Sequence, residues 1–344
     1  MKGKTVRGRS VETVKVREIV MEERQKISNT GLAFIVNPAA HSGKGKKLWE
    51  QAEHILNGRG VSYEGFLSGK KGDIEAIAKR LTDGLSDGEE RTIVLLGGDG
   101  TVNEALQGIR DFDRVRLGYI PTGSSNDLAR DMGISTKVEE ALLPFLGAGK
   151  ECRMDLGSVS WSGDGVRRVR RFLVGCGIGY DAEVCAEALS SKMKRYLNRV
   201  GLGKLTYLGI GLKQMLAVRY ARVSVRLDGK EILHLPRMLF VVCMLHRYEG
   251  GGFCFCPQAD AQDGLFDLCV VDGVPKWKFP VIIPFALKGK HFRFRGVVHY
   301  RAERIEIRAD APLCMQTDGE VPGKCDRLVI TSERQKVRFI VPKL

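Results

Sequence analysis

The sequence predicts an α/β protein in two parts, an N-terminal domain on a parallel sheet followed by a C-terminal antiparallel β-rich domain. Three observations carry this. Short apolar strands, glycine-containing loops and amphipathic helices alternate four times within about 100 residues, the pattern of βαβ units. From Cys152 onward that alternation gives way to closely spaced β-like runs. The length of 344 residues suits about two domains.

Residues 1–29 form a basic extension rich in both charges, read as a solvated tail. Leu32 to Val36 is a short buried strand that runs into Asn37-Pro38 and the loop His41-Ser42-Gly43-Lys44, then into a helix carrying Leu48, Trp49, Ala52 and Ile55. Residues 61–67 are the next strand, followed by the loop Ser68-Gly69-Lys70-Lys71-Gly72-Asp73 and a helix with Ile74, Ile77, Ala78 and Leu81. A third strand ends in Gly97-Gly98-Asp99-Gly100-Thr101 and enters a helix with Val102, Ala105, Leu106 and Ile109. Thr101 and Glu104 have capping-box spacing, which places the start of that helix at Thr101. A fourth strand around Leu117–Ile120 ends in Pro121-Thr122-Gly123-Ser124-Ser125-Asn126-Asp127. Such loops, leaving the C-terminal ends of parallel strands, converge on one crevice.

Chemistry concentrates in the glycine turn. Its glycines let backbone approach a ligand, and the amides that open the following helix suit an anion. Asp99 is the unusual member, since a carboxylate repels phosphate unless a metal ion or a transferable proton intervenes. That combination points to phosphoryl transfer. Neither a Walker A sequence nor a GxGxxG fingerprint occurs, which disfavours ordinary P-loop and Rossmann sites.

In the second half, β-like runs fall at residues 172–174, 223–227, 238–245, 266–271, 305–307 and 328–330. Arg304 to Arg308 alternates with the period of a half-exposed strand. Residues 192–222 form the best membrane candidate, with apolar positions at helical spacing beside Lys192, Arg195 and Arg199. Lys and Arg exceed Asp and Glu by 14, so an anionic partner is favoured, but the cations are not interleaved with aromatics in a nucleic-acid module. Nine cysteines without CxxC pairing read as buried free thiols rather than a zinc site. No signal-peptide core and no run long enough to span a bilayer is found; the longest apolar stretch, near residues 279–287, is interrupted by Pro280 and Pro284.

Three ordered blocks, Asn37-Pro38, Gly97-Gly98-Asp99-Gly100-Thr101 and Pro121-Thr122-Gly123-Ser124-Ser125-Asn126-Asp127-Leu128-Ala129, resemble the diacylglycerol kinase catalytic domain, a family that includes bacterial lipid kinases and the sphingosine and ceramide kinases. The GGDGT block alone is shared with NAD kinases; the P-x-G-[ST]-x-N-D-x-A block separates the two. The resemblance implies an NAD kinase/diacylglycerol kinase-like ATP-binding domain over residues 30–150 and a β-rich lipid-substrate domain over 151–325. Residues 326–344 would return to the first domain. It implies ATP held by Asn37, Ser68, Gly97, Gly98, Asp99, Gly100, Thr101, Asn103, Gly123, Ser124, Asn126 and Asp127. Asp99 would act through catalytic Mg²⁺ or at the reacting phosphoryl group, and Asp318 or Glu320, in the family's Asp-Gly-Glu element, would be the general base. Without the family, Asp318-Gly319-Glu320 reads as a hairpin turn. The segment from Cys256 to Leu268 resembles the family's structural Mg²⁺ loop, with Asp263 as side-chain ligand and Asp260 and Leu265 as carbonyl donors.

The implied function is phosphorylation of a membrane lipid hydroxyl from ATP, diacylglycerol by default. The alternatives are a sphingoid-base kinase and an NAD kinase-like enzyme acting on a soluble dinucleotide. The implied setting is the cytoplasm, peripheral at the inner membrane surface, without nucleic acid and with a homodimer left open.

Overall fold

A computed structural model describes residues 31–163, 166–190 and 219–343. The basic extension and most of the 192–222 membrane candidate lie outside these residues.

The first sheet collects β1 (Leu32–Val36), β2 (Glu64–Leu67), β3 (Arg91–Gly97), β4 (Val115–Pro121) and β5 (Gly149–Met154), with the late strand Val337–Pro342 between β4 and β5. The order β2-β1-β3-β4 is parallel throughout. Every residue of β3 is buried, as expected for the centre of a sheet covered on both faces. The helices α1 (Gly45–Gly58), α2 (Asp73–Thr82) and α3 (Asp99–Gly108) supply the cover. Trp49, Ala52 and Leu56 of α1 and Ile74, Ile77, Ala78 and Leu81 of α2 are buried, so the helical stripes read from the sequence face the sheet.

The second sheet takes β6 (Gly157–Gly163), β7 (Val166–Phe172), β8 (Gly175–Gly179), β9 (Ala221–Leu227) and β10 (Glu231–Met244). After a small hairpin of β11 (Tyr248–Glu249) and β12 (Phe253–Cys254) come β13 (Phe266–Asp272), β14 (Val297–Ala302), β15 (Arg304–Thr317) and β16 (Glu320–Ser332). All pairings in this nine-stranded sheet are antiparallel. Two helices accompany it, α4 (Tyr180–Ser190) and α5 (Phe279–Ala286). The nine cysteines are free, eight of them buried.

The chain crosses between sheets at places the sequence did not mark. β5 carries the first sheet beyond 150 to Met154. Residues up to Ser332 belong to the second sheet, and only β17 (Val337–Pro342) returns to the first, parallel to β4 and antiparallel to β5. The expected strand at 172–174 is instead the break between β7 and β8. The cause is a distant partner: the amides of Leu173, Val174 and Gly175 bond the Asp318 carboxylate.

Candidate active site

Register places three loops side by side. Val36 is level with Leu96 and Gly97 with Pro121, so the loops after β1, β3 and β4 leave one sheet edge together. They are tied by Asn37 N donating to Leu96 O and Thr122 N to Gly97 O. Two of the turns touch through glycine alone. A Cβ on Gly123 would stand 2.7 Å from Gly98 Cα, and one on Gly97 would stand 2.2 Å from Thr101 Oγ1. No side chain fits at either place.

The capping box is not formed. α3 begins at Asp99, with Gly98 as its N-cap. Glu104 Oε1 accepts from the amides of Gly72 and Ile74 at the start of α2. Thr101 Oγ1 accepts from Asn37 Nδ2 at 3.3 Å. Two orphan amides of a neighbouring helix are a better use of a carboxylate than one residue of its own. Asn126 sits at φ 51°, in the left-handed region that Asn tolerates, and its side chain closes the loop by accepting from Gly123 N and donating to Gly123 O.

A cleft of about 180 Å³ opens on these loops. Gly98, Asp99, Gly100, Gly123, Ser124 and Asp127 line it from the first domain, and Asp318, Gly319 and Glu320 from the second. Of the other residues expected around a nucleotide, Asn37 and Thr101 bond each other, Asn103 is fully buried against Asp318, and Ser68 is buried. Gly97 and Asn126 build the loops rather than face the cavity.

Asp99 lines the cleft and is part-buried. Its carboxylate accepts from Tyr119 Oη at 3.2 Å and from Asp127 N at 3.1 Å. Burial first, then the charges of Asp127 and Asp318, push its pKa up to about 7. Asp127 in turn accepts from Gly251 N of the β11–β12 hairpin at 2.7 Å.

Asp318 and Glu320 have different surroundings. Asp318 and Gly319 both have positive φ, 49° and 80°, and join β15 to β16 as a two-residue hairpin loop. The Asp318 carboxylate is wholly occupied: Oδ1 accepts from Val174 N and Gly175 N, Oδ2 from Leu173 N and Asn103 Nδ2, all at 2.8–3.0 Å. Burial raises its pKa against the pull of these four donors. Because Asn103 belongs to α3, this one carboxylate fastens the second domain to the helix of the glycine turn. Arg170 strengthens the joint by donating to Asn103 Oδ1 and to Thr317 Oγ1. Glu320 is part-exposed, and Oε2 pairs with Lys71 Nζ at 2.8 Å across the mouth of the cleft.

Two acids escaped sequence reasoning. Glu249 is 5% exposed, lines the cleft, and neither of its carboxylate oxygens meets a hydrogen-bonding partner among the described residues. Burial, then the charges of Asp181 and Asp318, hold its pKa well above the carboxylate range. Asp181, bonded by Gln316 Nε2 at 2.9 Å, is pushed up to about 6 by burial. Nothing in local sequence distinguishes these from surface acids; only the Gly250-Gly251-Gly252 run after Glu249 hints at a special turn.

The carboxylates of the other expected metal loop already have cationic partners in the chain. Asp263 Oδ1 accepts from Leu265 N, and its Oδ2 pairs with Arg301. Lys336 Nζ already supplies positive charge inside the loop, 2.9 Å from Asp155 Oδ1 and 3.0 Å from Gln262 O. Asp260 Oδ1 accepts from Gln262 N. Ammonium and guanidinium groups thus neutralise the carboxylates of the loop, that of Asp263, the expected side-chain ligand, among them. Treatment with EDTA is therefore expected to leave Tm of the nucleotide-free protein unchanged. Lys336→Met, which strands the buried Asp155 charge, is expected to cost about 2 kcal/mol. Differential scanning fluorimetry checks both.

Beside the cleft lies a second cavity of about 100 Å³, lined mostly by apolar side chains, among them Tyr180, Phe240, Phe253, Phe255, Phe279 and Ile282. The β11–β12 hairpin is common to both, contributing Glu249 to the cleft and Gly250 and Phe253 to the apolar cavity.

Comparison with known proteins agrees with this fold. A family model described as the diacylglycerol kinase catalytic domain matches residues 31–159, and one described as the YegS C-terminal NAD kinase beta sandwich-like domain matches residues 176–339. The diacylglycerol kinase of Bacillus subtilis is 27% identical over 252 residues, 73% of this chain and 78% of that protein. The diacylglycerol kinase of Mycobacterium tuberculosis is 27% identical over 275 residues, 79% of this chain and 83% of that protein. A solved diacylglycerol kinase structure from Bacillus anthracis shares the fold, with a TM-score of 0.63 at 18% identity, covering 90% of this chain and 96% of that one. With both halves matched in order, the chain belongs to the diacylglycerol kinase catalytic-domain family, and it is a kinase.

Proposed function

We propose that the protein is an ATP- and Mg²⁺-dependent lipid kinase that transfers the γ-phosphate to the hydroxyl of a membrane lipid, diacylglycerol by default. The observation that carries the lipid reading is the apolar cavity sharing the β11–β12 hairpin with the acid-lined cleft. An acyl chain matches such a wall along its whole length, whereas the riboses and phosphates of a soluble dinucleotide, the acceptor in the NAD kinase alternative, would find few polar partners there.

The cleft's chemistry suits phosphoryl transfer. The Gly98–Gly123 contact leaves bare backbone facing the cavity, and the start of α3 points amides at bound phosphate. Asp99 and Asp127, hard oxygen donors side by side on the cleft, fit a Mg²⁺ ion that would complete its shell with phosphate oxygens and water. Among the described residues no three acids, His or Cys stand close enough to cage an ion without the substrate. Bound there, the ion would neutralise phosphate charge. We assign the acceptor proton to Glu320, which is part-exposed in the cleft, while Asp318 spends both oxygens on the domain joint. A base needs contact with the hydroxyl more than a large pKa shift.

The test is incubation with labelled ATP, Mg²⁺ and detergent-dispersed lipids, beside soluble NAD. A labelled lipid is expected; a labelled dinucleotide alone would replace this reading with the NAD kinase one. Glu320→Gln is expected to lower kcat by roughly 10²- to 10³-fold with KM for ATP little changed.

A further inference from the structure

The helix α5 (Phe279–Ala286) has no charged residue and two apolar faces. Its inner face lines the apolar cavity with Phe279, Ile282, Ile283 and Ala286. Its outer side continues a stripe of Trp277, Val281 and Leu287, which are 73%, 54% and 47% exposed. A helix apolar on all sides belongs inside a core or in lipid. Adjacent exposed apolar side chains of this size mark a contact surface.

The surroundings of the stripe identify the contact. From Val274 to Ala302 the chain has no Asp or Glu. Lys278, Lys288, Lys290, Arg293 and Arg295 are exposed around the stripe, and among the described residues none of them makes an ion pair. Lys278 Nζ instead lies 5.3 Å from the Trp277 ring, and the Arg293 guanidinium 5.2 Å from the Phe285 ring. A protein partner would be met by a rim of mixed charge. An apolar strip flanked by cations alone within its own segment complements a surface of acyl chains under uniform negative charge, with the indole at the boundary and lysine stems reaching back to phosphate.

We propose that residues 276–295 are the membrane-docking edge of this protein, with α5 lying in the plane of an anionic bilayer and Trp277, Val281 and Leu287 at the boundary between headgroups and acyl chains. Docked so, the helix that walls the apolar cavity enters the layer holding the acyl chains. The proposal rests on the lipid-kinase reading only for what this contact serves. It differs from the membrane candidate at 192–222, most of which lies outside the described residues.

The chain carries its own reporter. Of its three tryptophans, Trp49 and Trp161 are buried, 1% and 6% exposed, and only Trp277 meets solvent. The full chain would be titrated, without ATP, with vesicles of phosphatidylcholine alone and of phosphatidylcholine with phosphatidylglycerol. A blue shift of the emission and quenching by brominated acyl chains are expected with the anionic vesicles, and both vanish in Trp277→Phe. Lys278→Glu with Lys288→Glu and Lys290→Glu is expected to weaken vesicle binding at least about tenfold, with Tm and activity on detergent-dispersed lipid unchanged. Sedimentation with vesicles while Trp277 emission stays unshifted would overturn the proposal and move the contact elsewhere in the chain. A blue-shifted Trp277 in lipid-free protein would also overturn it, assigning the surface to a second copy if the protein sizes as a dimer and to another segment of the same chain if it does not. Insertion without phosphorylation of any lipid would remove the kinase reading and leave the docking surface standing.

Discussion

Asp99→Asn is expected to lower kcat by about 10³-fold or more, the scale of removing one charged group from a phosphoryl-transfer centre. The same substitution is expected to stabilise the metal-free, nucleotide-free protein at alkaline pH. Asp99 has an ordinary pKa of 3.8 and a folded-state value of about 7. A raised carboxylate stabilises the folded state fully below its ordinary pKa and loses that contribution as pH rises through the raised one. The wild type should therefore lose stability relative to Asp99→Asn between about pH 4 and pH 7, by a total on the order of 4 kcal/mol. Denaturant unfolding of both proteins at pH 5 and pH 8, with EDTA, measures the difference. Parallel curves at the two pH values would show that the carboxylate is not desolvated as described. Mg²⁺ and ATP together should return the lost stability to the wild type alone, because only an ionised Asp99 gains from a bound cation.

Asp318→Ala has a large expected effect of a different kind. It leaves the amides of Leu173, Val174 and Gly175 and the Asn103 carboxamide without their acceptor in a buried joint. A loss of about 3–5 kcal/mol in unfolding free energy follows, seen as a fall in Tm of roughly 5 °C or more. Asp318→Asn tests the same joint more narrowly, since its amide would face donors with a donor. If Asp318 were instead a freely titrating base, Asp318→Asn would abolish turnover and leave Tm in place. The pairing of large stability loss with Asp318 and large activity loss with Glu320 is the signature of the assignment made above.

Much of this was legible in the sequence because it depends on chemistry between near neighbours. The parallel sheet, the stripes of α1 and α2 and the three loops at one edge follow from periodicity and from glycine at close approach. What was not legible depends on partners far along the chain. Glu104 looked like the cap of its own helix, and its carboxylate went to α2. The run at 172–174 has strand composition, yet the amides from Leu173 to Gly175 serve a carboxylate 143–145 residues later. Asp318-Gly319 was a sound hairpin reading, but a turn residue's side chain shows no burial from sequence. Glu249 and Asp181 are ordinary acids until folding removes their water. Asp263 shows the reverse, where a motif resembles a metal loop and Arg301 and Lys336 fill it.

The placement of β17 has a consequence for how the molecule comes into being. The first sheet is continuous from β2 to β5 only when Val337–Pro342 slots between β4 and β5. On a ribosome, the loops of the candidate site emerge early, yet their sheet has a gap until the whole second sheet has been synthesised and β17 follows it. Through that interval β4 exposes an unpaired edge, the kind of surface that chaperones protect and that aggregates otherwise. The portion of the protein made first is the portion finished last.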